Sequence, residues 1–256
     1  VKELILIAQE TTVYGMDCYG RKALPELLTK LCEIEGIEWI RILYCYPEEI
    51  TEELVQTIKT EKKICHYLDL PIQHCNDDIL KRMGRKTTQA DLREKISMLR
   101  KEIPDIALRT TLISGFPGET NENHEECVDF VANMKFERLG VFPYSPEEGT
   151  PAAGYDRQLP DEIKQEWADE IMQTEQDVIF AQNEEMIGRK LSVIVDGYLP
   201  EDGVYVGRTY RDAPEIDGCL FFEAPYEIIS GTILPVLVTD ANGYDLIGEI
   251  LPEEDD

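Results

Sequence analysis

The sequence predicts an α/β chain in two parts: a region of parallel βα repeats, then a small antiparallel β-barrel of OB-like size. Three observations carry this. Short apolar runs alternate with amphipathic stretches through residues 1–145. A loop bearing Pro and Gly at 147–160, followed by a long helical pattern, interrupts that alternation. Five short strand-like runs divided by turn residues fill the chain from Arg189 onward. Strand, helix, strand at about 30 residues per unit is the pattern of right-handed crossovers and a parallel sheet, either a barrel or an open sheet.

In chain order, the strands of the first part are Leu4-Ile5-Leu6-Ile7-Ala8, Trp39 to Tyr44, Tyr67 to Leu70, Leu112-Ile113 with its threonine lead-in, and Leu139 to Phe142. Helical stretches at 22–35, 48–60, 76–83, 88–103 and 120–135 separate them, and Thr88 with Asp91 sets a capping box. Ile163, Trp167, Ile171, Val178 and Ile179 recur at helical spacing, with Asp161 and Glu162 at the positive helix end. Runs at 191–195, 203–210, 219–223, 233–239 and 245–250 make the small barrel. The expected divisions are 1–158, a connecting helix at 159–188, and 189–256. Strands this short and apolar are buried on both faces, so a first strand beginning near Val1 leaves a bare sheet edge. The expectation is that at least one strand and helix precede Val1; the alternative is an edge covered by another subunit.

Composition narrows the function. With 256 residues, 43% hydrophobic and 30% charged, whole-chain disorder is excluded. The chain carries 52 acidic against 25 basic residues, a net charge of −27, which disfavours nucleic-acid binding through bulk charge and favours a cationic partner. Residues 189–256 hold four basic and 15 acidic residues, a net of −11, so the first 188 residues carry −16 and neither part is basic. No run is long enough to span a bilayer and no signal segment stands at the N-terminus, so a soluble, cytoplasmic chain without a membrane role is expected. Seven scattered cysteines contain no Cys-x-x-Cys. They read as reduced thiols, with no self-contained zinc or iron–sulfur motif and no assignable metal ligand. No Ser-His-Asp order, phosphate-binding loop or metalloprotease helix occurs, so no catalytic side chain is assigned.

In parallel βα folds, function gathers where strands end. That rule selects Gln9-Glu10-Thr11-Thr12, Cys45-Tyr46-Pro47, Pro71-Ile72-Gln73-His74, Gly115-Phe116-Pro117-Gly118-Glu119 and Tyr144-Ser145-Pro146. Each carries hydrogen-bonding side chains, four of the five together with Pro or Gly, which points to one shared ligand site. Gly115 and Gly118 let backbone amides approach an anionic group, although a plain turn needs the same residues. Gln73 and His74 suit a carboxylate or a ribose, and a structural hydrogen-bonding role for His74 stays open. His66 reads as structural and His124 as a solvated surface residue.

These segments, extended to Gln9-Glu10-Thr11-Thr12-x-Tyr14-Gly15, Leu70-Pro71-Ile72-Gln73-His74 with Leu80-x-x-Met83-x-Arg85, Arg109-Thr110-Thr111-x-Ile113-x-Gly115-Phe116-Pro117-Gly118-Glu119-Thr120, and Phe142-x-Tyr144-Ser145-x-x-x-Gly149-Thr150-x-Ala152, resemble the radical S-adenosylmethionine methylthiotransferases. The likeness covers essentially the whole chain, because residues 189–256 resemble a TRAM module. Gly207-Arg208-Thr209 and Ala213-Pro214-Glu215-Ile216-Asp217-Gly218 are similar to the version in the branch that methylthiolates an aspartate β-carbon of a small-subunit ribosomal protein. A TRAM module carrying −11 should attract a basic protein and repel tRNA, the substrate of the sister branches.

The resemblance implies a partial radical-SAM-type barrel, S-adenosylmethionine as cofactor, two 4Fe–4S clusters in the whole enzyme, an electron donor, and a basic ribosomal protein as partner. It places Gln9 and Thr11 near the methionine end of the cofactor, and Gln73, His74, Ser114, Gly115 and Tyr144 near its ribose and adenine or the substrate. The chain departs from the family in one respect: the Cys-x-x-x-Cys-x-x-Cys motif that holds the first cluster is not in these residues. The expectation is therefore a chain inactive by itself. The alternatives are a tRNA methylthiotransferase and a non-catalytic module that binds a basic ribosomal protein.

Overall fold

A computed structural model describes residues 1–251. Five strands, β1 (Glu3–Leu6), β2 (Trp39–Ile42), β3 (Ile64–Gln73), β4 (Ala107–Ser114) and β5 (Arg138–Pro143), lie side by side in chain order, every neighbouring pair parallel. Strand order without a reversal is that of a barrel wall; a doubly wound sheet reverses at a switch point. The crossovers run through α1 (Met16–Tyr19) and α2 (Leu24–Cys32), then α3 (Glu52–Thr60), then α4 (Asp77–Arg82) and α5 (Gln89–Glu102), then α6 (Asn121–Met134). Ile40, Ile42, Leu68, Leu70, Leu108 and Leu112 point outward and pack with Leu28, Leu54, Ile58, Ile96 and Phe130 of those helices. Thr88 caps α5 through the capping box with Asp91, and Thr120 caps α6 in the same way with Asn123.

Helix α7 (Asp161–Glu184) packs against α6 and β5 and leads into the second part. There β6 (Lys190–Leu199), β7 (Val204–Arg208), β8 (Leu220–Glu223), β9 (Ile233–Asn242) and β10 (Asp245–Ile250) close a barrel in the order β10-β8-β7-β6-β9. One pair departs from the antiparallel expectation: β8 and β10 run parallel, because closure brings the last strand beside the third. The expected last division, 189–256, ends in residues 252–256, which lie outside the described residues. A second correction concerns His124, which is buried; its ring stacks on Trp167 at 4.8 Å and its Nε2 lies 2.9 Å from Glu170. Its polar neighbours along α6 hid the fact that α7 covers this face.

The inner face of the sheet positions everything else. Side chains alternate along a strand, so Glu3, Arg41, Tyr67, Arg109 and Arg138 share that face, Arg109 standing opposite Asp69 and Arg138. Its amino-terminal half is filled by residues 208–217 of the small barrel. Arg41, fully buried, donates to Glu3 at 2.8 Å and to the Tyr210 carbonyl at 2.7 Å. Tyr67 donates its hydroxyl to Asp217 at 2.7 Å, and Arg109 lies between Asp69 at 2.8 Å and Asp217 at 3.5 Å. Arg138 donates to Asp212, and Arg208 bridges Glu3 at 2.9 Å and Asp196 at 2.8 Å. Burial opposes charge on Asp212, yet Arg138 and the Thr209 hydroxyl hold its pKa below the ordinary carboxylate value. Around the ions, Trp39, Leu43, Cys65 and Ala107 of the sheet meet Ile194 and Ala213 of the barrel.

Truncating one member of a buried pair strands its partner's charge, so Arg138→Ala should cost about 3–5 kcal/mol in urea unfolding. An effect under about 1 kcal/mol, the worth of a surface pair, would show that this contact does not join the two parts.

Glu175 on α7 gives a pH signature. Burial pushes its pKa up to about 7 although the Tyr244 hydroxyl donates to it at 3.0 Å, and its Oε1 has no partner. A carboxyl whose folded pKa is raised favours folding while protonated, and that contribution is lost as pH rises from 4.5 through about 7. Glu175→Gln should therefore stabilise the chain by roughly 2–3 kcal/mol at pH 8, with the gain vanishing toward pH 4.5. Urea midpoints measured across that range check the slope.

Candidate functional site

The carboxyl ends of the five strands converge on the open half of the sheet, and the backbone there is unusual. Tyr44 just beyond β2, Gln73 at the end of β3 and Gly115 just beyond β4 have φ of 57°, 71° and 72°. Glycine adopts this region freely; Tyr and Gln do so at a cost of about 1–2 kcal/mol each. Such residues persist only where their surroundings hold them, and they cluster at ligand sites. Asp69 does the holding at Tyr44: its Oδ2 accepts the Tyr44 amide at 3.1 Å while Oδ1 is fixed by Arg109. The ion network at the base of the sheet thus reaches the strand tips.

The loops at the tips are tied to one another. The Thr11 amide donates to the Tyr44 carbonyl at 2.9 Å, and its hydroxyl donates to the Leu43 carbonyl at 2.6 Å and accepts the Ala8 amide at 3.1 Å. Glu10 accepts the Thr12 amide and hydroxyl through one oxygen and the Tyr46 amide, at 2.9 Å, through the other; burial raises its pKa against those bonds. The Tyr144 amide donates to the Ser114 carbonyl at 2.8 Å, joining the ends of β4 and β5.

Of the seven residues singled out by sequence, three keep unspent polar groups. Gln9 is exposed and Gln73 half-buried, and neither side chain makes a hydrogen bond among the described residues. Tyr144 packs edge-on to Phe116 at 5.1 Å, with the Lys164 ammonium 5.5 Å from its ring, and its hydroxyl is buried without a partner. The other four are committed to the fold. Thr11 ties two loops as described. Ser114 donates to the Lys164 carbonyl of α7 at 2.8 Å. A Cβ on Gly115 would stand 2.3 Å from Lys164 Cγ, so glycine there admits α7, and α7 covers the side on which a side chain would project. His74 is buried beneath the tips, with Nδ1 accepting the Asn76 amide at 2.9 Å and Nε2 at 3.2 Å from Glu119.

Large apolar side chains stand exposed at the same end: Ile7 at 64%, Tyr44 at 44% and Phe142 at 58%. Apolar surface beside unspent polar groups is the composition of a small-molecule site. A groove of about 570 Å³ follows the unpaired edge of β1, lined by Ile5, Ile7, Ala8, Thr11, Tyr14 and Met16 among others. Of the seven, Thr11 alone lines it. Among the described residues, one grouping of metal-ligand atoms occurs, His74 with Cys75 and Cys127. Two thiols and an imidazole do not match the three-cysteine set that the resemblance implies for a 4Fe–4S cluster.

Sequence reasoning passed over Tyr44, Asp69, Arg109 and Phe142 as site residues. Asp69 carried a signal, an acid inside the apolar run Tyr67-Leu68-Asp69-Leu70, as did Arg109 at the matching level of β4. Nothing in the sequence marks the left-handed turn at Tyr44.

The parallel sheet, its open strand ends and the closed small barrel agree with the architecture of a radical S-adenosylmethionine protein with a TRAM domain. The chain matches the radical SAM superfamily over residues 1–131 and the TRAM domain over 187–251, and it belongs to the radical SAM superfamily. It is similar to the ribosomal protein uS12 methylthiotransferase RimO of Lachnoclostridium phytofermentans, at 61% identity over 97% of this chain and 56% of that protein. RimO of Clostridium botulinum strain Hall is 51% identical over 99% of the chain and 56% of its own length, and that of Desulfitobacterium hafniense strain Y51 is 47% identical over 98% and 56%. The chain spans little more than half the length of these relatives. None of its described helices is long and apolar enough to cross a membrane.

If ligand binding is what retains a side chain at Gln73, the fold does not need it. Gln73→Gly should leave the free energy of urea unfolding unchanged or raise it by up to about 1 kcal/mol, against a cost of about 0.5–1 kcal/mol for glycine elsewhere in a strand. A clear loss of stability would show that Gln73 serves the fold.

Proposed function

We propose that this chain is the cofactor-positioning and substrate-docking portion of an enzyme that adds a methylthio group to an aspartate β-carbon of the small-subunit ribosomal protein uS12. The observation that carries the reading is the combination, at one end of a parallel sheet, of unspent groups on Gln9, Gln73 and Tyr144 with exposed faces of Ile7, Tyr44 and Phe142. A nucleoside with a charged amino-acid tail needs both kinds of surface. The names of the relatives supply the reaction and the protein acted upon.

S-adenosylmethionine with a 4Fe–4S cluster supplies the radical chemistry of such an enzyme, and the cysteines that hold that cluster in the family are not in these residues. The chain's own part is binding and exclusion of water. Gln9 and Tyr144 orient polar ends of the cofactor, with Gln73 between them on the middle strand. Phe142, Tyr44 and Ile7 give apolar cover to the nucleoside. Thr11, Ser114 and Gly115 keep the loops in place, and His74 supports the turn through Glu119. An electron donor and the number of clusters belong to the whole enzyme.

The acid excess of the TRAM domain supports a basic protein as partner over tRNA. Residues 189–256 carry a net −11, a charge that repels phosphate and steers a cationic chain.

In the full-length enzyme with reconstituted clusters, Gln9→Ala, Gln73→Ala and Tyr144→Phe should each weaken S-adenosylmethionine binding about five- to tenfold, the worth of one hydrogen bond, without lowering Tm. Unchanged affinity in all three removes the site assignment. Methylthiolation of tRNA but not of uS12, followed by mass spectrometry, would replace the substrate and leave the site standing.

A further inference from the structure

The proposed function does not use the thiols beside His74. Cys75, just beyond β3, is fully buried, and Cys127 on α6 is 1% exposed. Although 52 residues apart in sequence, their sulfurs are 3.2 Å apart. Over them, the Glu126 carboxylate accepts Asn76 Nδ2 at 2.7 Å and Gln89 Nε2 at 2.6 Å, sealing α6 against the start of α4 and α5.

Two chemistries suit a pair of thiols beside an imidazole: a soft metal ion or a sulfur–sulfur bond. The imidazole argues against the metal. Its Nδ1 lone pair already accepts the Asn76 amide and is not open to a metal, and its Nε2 lies 3.2 Å from the buried Glu119 carboxylate. Cys127 Sγ lies 3.5 Å from both ring nitrogens, which sets it over the ring face, whereas zinc takes an in-plane lone pair at about 2.0–2.1 Å.

We propose that Cys75 and Cys127 form a reversible intrachain disulfide whose oxidant is hydrogen peroxide. Closing the pair to the bond length of about 2.05 Å requires the sulfurs to move together by little more than 1 Å. Either thiol can donate across that contact, but the His74 ring lies 3.5 Å from Cys127 Sγ, which favours the thiolate there; Cys127 is therefore the nucleophile. Its thiolate attacks one peroxide oxygen, the O–O bond breaks, and hydroxide leaves with Cys127 as the sulfenic acid. Cys75 then attacks that sulfur; the S–S bond forms, the S–O bond breaks, and the departing hydroxide takes up the Cys75 proton as water. With the first hydroxide protonated by solvent, two thiols are oxidised and one peroxide is reduced to two waters. Peroxide is close to water in size, and it enters when the Glu126 seam opens. The bond ties the end of β3 to α6 directly behind the Gly115–Gly118 turn, whose Phe116 amide donates to Glu119 at 2.9 Å.

The test uses the 256-residue chain, reduced, freed of reductant under nitrogen, and treated with one equivalent of hydrogen peroxide. Titration in denaturant should show two fewer thiols per chain, restored by dithiothreitol, and a non-reducing digest should join the peptides of Cys75 and Cys127. Tm should rise by roughly 5–10 °C on oxidation. In Cys75→Ala the Cys127 sulfenic acid should persist and be trapped by dimedone. Cross-links among other cysteines, both thiols still reduced after the peroxide is consumed, or one tightly held zinc ion in the untreated chain would overturn the proposal. If Cys75→Ala does not fold, the digest and the metal analysis of the unaltered chain decide the matter.

Discussion

Four guanidinium groups, Arg41, Arg109, Arg138 and Arg208, are withdrawn from water between the parallel sheet and the small barrel, and the rest of the structure depends on their being paired there. An arginine cannot escape the cost of burial by losing its proton. Its carboxylates and carbonyls must therefore be in place, and they come from both sides: Glu3 and Asp69 from the sheet, Asp196, Asp212, Asp217 and the Tyr210 carbonyl from the barrel. Apolar residues alone would let the two parts slide, whereas directional bonds at Arg41 and Arg138 fix one register. The barrel therefore stops up the amino-terminal half of the sheet's inner face and leaves the strand tips open.

That arrangement divides labour along each strand. In β3, Tyr67 is bound to the barrel, Asp69 one level up shapes the turn at Tyr44, and the side chain of Gln73 at the tip makes no hydrogen bond among the described residues. In β4, Arg109 belongs to the network while Ser114 and Gly115 seat α7. Stability is concentrated at the base, strain and unspent hydrogen-bonding capacity at the tips, so Gln9, Gln73 and the Tyr144 hydroxyl can change with little harm to the fold.

Much of this was legible in the sequence because it rests on local periodicity. The five parallel strands, the long α7 and the strands of the small barrel follow from apolar spacing and turn residues, and the capping box at Thr88 from a four-residue pattern. What escaped depends on contacts distant in sequence. His124 sits among Asn and Glu on α6 and became buried only because Trp167 arrives from α7. Ser114 and Thr11 stood out as polar residues at strand ends, but whether a hydroxyl faces a ligand or a neighbouring carbonyl is settled by packing. The thiol pair was invisible for the same reason: Cys75 and Cys127 share no motif and meet through the crossover from β3 by way of α4 and α5 to β4 and α6. The parallel pairing of β8 with β10 follows from barrel closure, which no single segment encodes.

Sheet and barrel must open together, since separating them would expose apolar surface and unpair buried ions at once. Native-state hydrogen exchange tests this most directly by comparing amides of β2 and β3 with those of β6 and β7. Exchange of both sets at one common free energy, equal to that of global unfolding, is the expected result. Exchange of the β6 and β7 amides at a distinctly lower free energy, with β2 and β3 still protected, would mean that the barrel comes away alone and that the buried ions do not bind the two parts into one unit.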